Sequence, residues 1–485
     1  MTQAALILYE LIRLAFRVML LVLCGHMLGG ARGASRTRQA RNRGDEGSWP
    51  LLTVQLPIRN ELFVVERVIH AACNLDYPRD RFEVQVLDDS DDETCEAVAR
   101  LVSRYRDEGV SISVLHRESP TGFKAGALNA GLAEAKGEFI AIFDADCVPT
   151  PSFARDLLGE FSDPKVGAVQ ARWAFINRKA NLLTRLQGLL FDGVFAVDQH
   201  LRCVDNLPSQ FNGTNGIWRR ECLDDIGQWR GAVITEDLYA SFSAILRGWR
   251  IVHRRDISVA TEIPEDVASF RSQQKRWCAG SMQTARVLWR EILRSSISFK
   301  SKRIMSMHLG RHWIHPCIFF TCFFSPLTTF FEAPFLFDYG VPANMALMLI
   351  LLFCMLVYYA AALRKSGEPL SEIWLVPLLL PLIIGMSGAY TQSIIRGVLG
   401  GSLTFVRTPK KGQPAELAVP GSRGLYKSRG DAVAWLELGM AALHGYATVQ
   451  SIHHGFVAYT LFFAMVAVGF GCVAVGSLKP FFVRS

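Results

Sequence analysis

The rhythm of hydrophobic and polar positions changes twice along this chain, dividing it into three parts. From Ala5 to Leu28 the residues are mostly apolar, interrupted by Glu10, Arg13 and Arg17. Such a run is long enough to cross a bilayer. A signal peptide carries its charge before the apolar core, whereas here an arginine cluster follows it. Residues 1–30 therefore read as a spanning helix with its N-terminus outside, an amphipathic helix at the interface being the alternative. From about 50 to 300, short β-rich runs alternate with helical ones. Leu51 to Pro57, Glu83 to Leu87, Ser111 to Leu115 and Phe139 to Phe143 read as strands, with helices at Val64 to Ala72 and Cys95 to Arg106. This alternation predicts an α/β domain, residues 49–300, with a mostly parallel, Rossmann-like sheet covered by helices on both faces.

From about 304 onward Phe, Leu, Ile, Val and Ala dominate. Residues 301–485 read as an α-helical membrane region with crossings near 312–331, 341–363, 434–449 and 457–478. The stretch 373–395 contains Pro377 and Pro381, with Arg364 and Lys365 before it and Arg396, Arg407, Lys410 and Lys411 after it. Positive charge on both sides conflicts with a simple crossing, so an in-plane or re-entrant segment is expected. Five crossings then close the topology with the catalytic domain and the C-terminal Arg484 in the cytosol.

Composition agrees with this division. Half of the 485 residues are apolar, and mean hydropathy is +0.21, high for a soluble protein. The net charge is +8, with Arg32, Arg36, Arg38, Arg41 and Arg43 directly after the first apolar run. Beside an apolar run, a basic patch marks a cytoplasmic juxtamembrane segment rather than a nucleic-acid surface, so 31–48 reads as a basic cytosolic linker and no nucleic-acid partner is expected. The 11 cysteines are scattered without CxxC spacing, which fits reduced thiols better than a disulfide framework.

Candidate chemistry falls where strands end. In parallel sheets the ligand crevice lies just past the strand C-termini. Asp88 and Asp89 follow one strand, while Asp144 and Asp146 follow the apolar FIAIFDAD. Two carboxylates one residue apart can hold a hard divalent cation and leave positions open for phosphate oxygens. The run Asp88 to Asp92 lacks EF-hand spacing and its terminal Glu, so it is not a calcium loop. Its carboxylates can accept from a nucleotide base or ribose, and equally can cap the next helix. Glu236 and Asp237 open a helical stretch, where a carboxylate is commonly only a cap stabilised by the dipole. Gln273, Arg276 and Trp277 put an amide, a cation and a flat aromatic within two helical turns. Arg suits a diphosphate and Trp a sugar face, and the same pattern suits a helix lying at headgroup depth. Lys124, among the glycines of GFKAGALNAG, is a candidate phosphate contact.

Together these segments resemble the processive family 2 glycosyltransferases: PIRNE (Pro57 to Glu61), LDDS, the Lys of FKAGALN, DAD, TED and QQKRW, in that order. The wording NLDYPRD…VQVLDDSDDET…HR…TGFKAGAL is similar to the cellulose synthase-like A and C group, the mannan and glucan synthases, and to its bacterial relatives. The resemblance covers about residues 50–300 and the later FVRTPKKG. It implies a GT-A fold facing the cytosol, with Glu61, Asp88 and Asp89 at the nucleotide. It puts Asp144 and Asp146 at the metal (Mg²⁺ or Mn²⁺) and diphosphate, and Asp237 of the TED motif as general base. It puts Lys124, Gln273 and Arg276 at the nucleotide sugar, and Trp277 with Gly213 and Thr214 of FNGTNG at the acceptor. A gating loop at 405–412, with Phe405, Arg407, Thr408 and Lys410, completes the set. Only one crossing precedes the domain, fewer than in cellulose synthases proper.

The resemblance thus implies an inverting, multi-pass membrane hexosyltransferase using GDP-mannose or UDP-glucose to extend a β-linked polysaccharide. Oligomers or accessory subunits are compatible with it. The alternative is a non-processive glycolipid synthase with a lipid acceptor. A transporter with a nucleotide-binding domain fits poorly, because five crossings without symmetric halves lack a transporter's repeats.

Overall fold

The computed structural model describes residues 3–37, 49–330, 340–400 and 431–482. Seven strands form one sheet in the order β3-β2-β1-β4-β6-β5-β7: β1 (Leu52–Ile58), β2 (Phe82–Asp88), β3 (Ile112–His116), β4 (Phe139–Ile142), β5 (Val166–Phe175), β6 (Gly216–Arg219) and β7 (Arg250–Thr261). The first four pair in parallel, with Leu52 opposite both Phe82 and Phe139. Helices cover both faces of such a sheet, so the central strands are buried: six of the seven positions of β1 and all four of the apolar β4 (FIAI). The Val65–Cys73 helix turns Val65, Val68, Ile69 and Ala72 inward, a one-sided spacing that packs it onto the sheet.

β6 runs antiparallel to both β4 and β5, pairing Trp218 with Ile140 and Ala168. This short strand carries the loop before it to the end of β4, where Asn215 N–H donates to the Ile142 carbonyl at 2.8 Å. It is how FNGTNG comes to lie beside DAD.

The membrane region is helical where described. Four segments are long and apolar enough to cross a membrane: Leu11–Gly33, Ala346–Ser366, Leu370–Leu399 and Tyr459–Lys479. Ile314–Phe330 and Val433–His453 are also helices. The stretch expected to lie in plane is a turn of 3-10 helix followed by the helix Val376–Leu399. Pro377 sits at the start of that helix, where a missing N–H costs nothing. A Cβ on Gly385 would lie 2.2 Å from the Gly469 carbonyl, so glycine is what lets these two helices touch backbone to backbone.

The catalytic-type domain and the membrane helices share packing. Phe270, Cys278 and Met282 of the long Val267–Arg294 helix form one apolar cluster with Met386, Tyr390 and Ile394. Beside it, Arg271 pairs with Glu437 and with Asp431, and Lys275 with Asp431. Arg185 of the domain meets Glu372 at 2.9 Å. Buried pairs of this kind cost desolvation and favour one docking geometry over its neighbours. All 11 cysteines are free.

Candidate active site

One open cleft, with a cavity volume of about 210 Å³, lies past the C-terminal ends of β1 and β4 and is roofed by the Val267–Arg294 helix. Its floor comes from strand ends. Asp146 is buried, and its Oδ2 accepts from the Thr261 hydroxyl at 2.7 Å and from Glu262 N–H at 3.0 Å. Asp144 is open to the cleft, and its N–H donates to the Thr214 hydroxyl oxygen at 2.8 Å. Lys124, in the first turn of the Phe123–Glu134 helix, pairs with the Asp144 carboxylate and also donates to the Gly213 carbonyl at 2.8 Å. Burial opposes the Lys124 ammonium, but Asp144, Glu236 and Asp237 outweigh it and hold its pKa above the ordinary value.

Glu236 and Asp237 occupy the first turn of the Glu236–Leu246 helix. Asp237 Oδ1 accepts from the N–H of Leu238 at 2.8 Å. A Cβ on Gly213, whose φ is +82°, would come within 3.2 Å of the other oxygen, Oδ2, so glycine keeps that face of the carboxylate clear. Burial raises the pKa of Asp237, with the Leu238 N–H and Lys124 pulling the other way. Burial and the neighbouring Asp237 push Glu236 up to about 7. Glu236 is thereby poised to exchange a proton near neutrality, and the raised Asp237 beside it is a stronger proton acceptor than a cap on a solvated helix.

Gln273, Arg276 and Trp277 share one face of the overlying helix, as their i, i+3, i+4 spacing requires. Gln273 is 8 % exposed, and its Oε1 has no hydrogen-bond partner among the described residues. A buried, unanswered amide oxygen at a cleft wall is a place for a ligand's donor. Burial lowers the pKa of Arg276, against the pull of Glu236, Asp144 and Asp237.

The structure brings Glu61, Asp89, Lys124, Asp144, Asp146, Gly213, Thr214, Glu236, Asp237, Gln273, Arg276 and Trp277 to this one cleft. Asp88 is not among its lining residues. It ends β2 buried, accepting from Ser90 N–H at 3.0 Å. Its carboxylate, the Cys95 thiol and the His116 ring lie within 4.8 Å of one another. Phe405, Arg407, Thr408 and Lys410 lie outside the described residues.

Three residues matter here that the sequence did not single out. Arg117 clamps Asp89 through two bonds, 2.7 and 2.5 Å, and donates to the Thr121 and Phe123 carbonyls. It thereby ties the Asp89 carboxylate to the turn that leads into the helix carrying Lys124. Its sequence signals were its place after a strand end and the HR of the family wording. Trp173 and Phe191 stand 6.5 and 6.0 Å from Trp277 and form with it an aromatic wall. Each sits in an apolar run, QARWAF and GLLFDG, that reads as ordinary core.

The donor set suits a hard divalent cation. Asp144 and Asp146 offer carboxylate oxygens from positions one residue apart, and the Lys124 ammonium on Asp144 shows that this point of the cleft draws positive charge.

Comparisons with known proteins bear on this site. Residues 50–280 match the sequence profile described as "Glycosyltransferase like family 2". Over 293 residues the chain is 37 % identical to glucomannan 4-beta-mannosyltransferase 2 of Arabidopsis thaliana, covering 58 % of this chain and 54 % of that protein. The chain thus spans about half the length of this relative. Among solved structures, the mannosyltransferase PcManGT of Pyrobaculum calidifontis, in complex with GDP-Man and Mn²⁺, shares the fold. It superposes with a TM-score of 0.52 at 22 % identity, over 73 % of this chain and 99 % of that one. With the mostly parallel sheet, the motif order and the profile in agreement, residues 50–280 are a glycosyltransferase-like family 2 domain with a GT-A-type fold, joined to helices that can span a membrane.

Proposed function

We propose that this chain is an inverting membrane glycosyltransferase that moves a hexose from a nucleotide sugar onto a growing β-linked polysaccharide. One observation carries the reading: a single cleft joins a half-buried carboxyl of raised pKa, Asp237, to the cations Lys124 and Arg276 and to an aromatic wall. In the reaction, an acceptor hydroxyl oxygen attacks the donor's anomeric carbon while Asp237 takes its proton. The bond from that carbon to the diphosphate breaks, and the electron pair leaves with the nucleoside diphosphate. Lys124 and Arg276 lie where that charge develops, and they act strongly because the cleft excludes much of the water. Asp144 and Asp146 would hold Mg²⁺ or Mn²⁺, which when bound supplies further charge neutralisation at the diphosphate. Trp277, Trp173 and Phe191 offer flat faces that hold the acceptor sugar in line.

Between the two donors, identity to a mannosyltransferase that makes glucomannan favours GDP-mannose over UDP-glucose, with a mannan or glucomannan backbone as product. Arginines after the first helix, Arg32 and Arg36 among them, favour a cytosolic catalytic domain under the positive-inside rule. The in-plane reading of 373–395 belongs to this topology, and cysteine accessibility from each side of the membrane tests it.

The test is nucleotide release by the purified full chain in detergent, with manno-oligosaccharide acceptors, a panel of nucleotide sugars, and Mg²⁺ or Mn²⁺. GDP release from GDP-mannose, abolished by EDTA and restored by the metal, with products that lengthen, is expected. Short lipid-linked products would replace this reading with a glycolipid synthase. Turnover of no donor in the panel would contradict both.

A further inference from the structure

Catalysis leaves one set of ionisable side chains unused. Arg202 lies just after the π-helical turn Gly193–Gln199, His308 near the end of the Phe299–Gly310 helix, and Arg311, His312 and His315 at the start of the helix that follows. Arg202 Nη1 donates to His308 Nδ1 at 3.1 Å, and Arg311 Nε to His312 Nε2 at 3.3 Å. The rings of His312 and His315 are 6.0 Å apart, and His315 stacks on Tyr390 at 4.0 Å. The Tyr390 hydroxyl donates to Gln274 Oε1 at 3.1 Å, beside the helix face bearing Gln273 and Arg276. Five basic groups thus run from just beneath the cleft into the membrane region.

Their charge is only partly balanced. Among the described residues neither Arg202 nor Arg311 has a carboxylate within ion-pair distance. The carboxylate that acts on both from farther off, Asp198, is already held by His26 at 3.1 Å and by the Tyr358 hydroxyl at 2.9 Å. His308 and His312 are 5 % and 8 % exposed. Nitrogens Nε2 of His308, Nδ1 of His312 and Nδ1 of His315 are buried without a hydrogen-bond partner among the described residues. Guanidinium groups at membrane level are retained where an anion or a functional ligand answers them. Two guanidiniums and three imidazoles that can donate match the several acceptor oxygens of a phosphate. A neutral sugar chain offers hydroxyls to the imidazoles but nothing to balance the guanidiniums. The π-helical turn leading into Arg202 is a strained element of the kind found at binding sites.

We infer that Arg202, His308, Arg311, His312 and His315 bind the phosphate of a lipid, directly beneath the catalytic cleft. This rests on the membrane placement of the helices and not on glycosyl transfer. The phosphate belongs either to a bilayer phospholipid headgroup or to a lipid-linked acceptor such as an isoprenoid phosphate.

The experiment titrates delipidated full-length protein in detergent with phosphatidylglycerol, an isoprenyl monophosphate or zwitterionic phosphatidylcholine, and reads bound lipid by native mass spectrometry. An anionic lipid should bind at least about tenfold tighter than phosphatidylcholine. Arg202→Gln with Arg311→Gln should remove that preference, and Arg202→Lys with Arg311→Lys should keep most of it, which guards against misfolding. Preference for the isoprenyl phosphate alone identifies an acceptor site, and equal preference for both anionic lipids a headgroup site. Equal binding of all three lipids by the native chain, or undiminished preference in the Gln pair, overturns the inference. So does a Gln pair that only shortens the glycan while lipid binding stays intact, because the cluster then lines the path of a sugar chain. The lipid-binding readings hold whether or not a donor is turned over.

Discussion

On the side of the cleft proposed to take the donor, Asp89, Asp144 and Asp146 stand at strand ends, and Lys124 sits in the first turn of a helix laid on the sheet. Their positions follow from hydrogen-bonded register and a buried core. On the acceptor side, Trp173 comes from β5, Phe191 from the Leu182–Asp192 helix and Trp277 from the helix that also packs on the membrane region. That wall exists only because side chains from a strand and two helices of the domain are packed together. The difference teaches that the proposed donor side is set by strand register, and the proposed acceptor side by how helices pack around β5. Changes on the two sides should therefore separate in kinetics.

The largest effect is expected at the point where the two sides meet. Asp237→Asn should lower kcat about 10²- to 10⁴-fold while leaving nucleotide-sugar binding intact by calorimetry, because it removes the base and no donor contact. On the donor side, Lys124→Met should cost about 10- to 100-fold in kcat/KM for the nucleotide sugar with little change in acceptor KM, the range for losing a charge-assisted bond. The same change shifts the pH profile. Lys124 favours the charged forms of Glu236 and Asp237, so removing it raises their pKa. Activity that needs the ionised base then rises with pH later, and the acid limb of kcat/KM should move to higher pH. On the acceptor side, Trp173→Ala or Trp277→Ala should raise acceptor KM about tenfold, with donor binding near native. Equal losses for donor and acceptor in either group would erase the distinction between the walls.

The smallest effect tests the link to the membrane helices. Tyr390→Phe removes the hydrogen bond to Gln274, worth about 1 kcal/mol. It should raise acceptor KM a few-fold and leave donor KM alone. A donor-only effect would place the coupling on the wrong wall. Stability separates from both: Phe143, fully buried beneath the DAD turn, should cost about 3–5 kcal/mol on truncation to Ala by chemical denaturation.

The same contrast explains what could be read from the sequence. β1 to β4 were legible as short runs rich in β-branched and apolar residues between helical stretches, β4 (FIAI) without a break, and Asp144 and Asp146 because they follow that run. β6 was not, since four residues wedged antiparallel between β4 and β5 carry no periodic signal. Trp173 and Phe191 look like core because they are partly core; only packing shows the face they turn to Trp277. Arg117 follows a strand end like the aspartates, but its role depends on a partner 28 residues away. Asp88 and Asp89 are adjacent in sequence, yet the end of β2 turns one to the Ser90 backbone and the other to the cleft. In the membrane region, composition marks Leu370–Leu399 as apolar enough to cross and charge argues for lying in plane, a conflict between two sequence signals.

The most direct test of the central claim is the anomeric configuration of the first glycosidic bond. NMR of the product from α-configured GDP-mannose and a manno-oligosaccharide acceptor, collected at early turnover, reads it without inference from rate. The account, with Asp237 drawing the proton from an acceptor hydroxyl opposite the departing diphosphate, predicts a β-linkage. An α-linked product would contradict it, because retention requires a different placement of nucleophile and leaving group than this cleft provides.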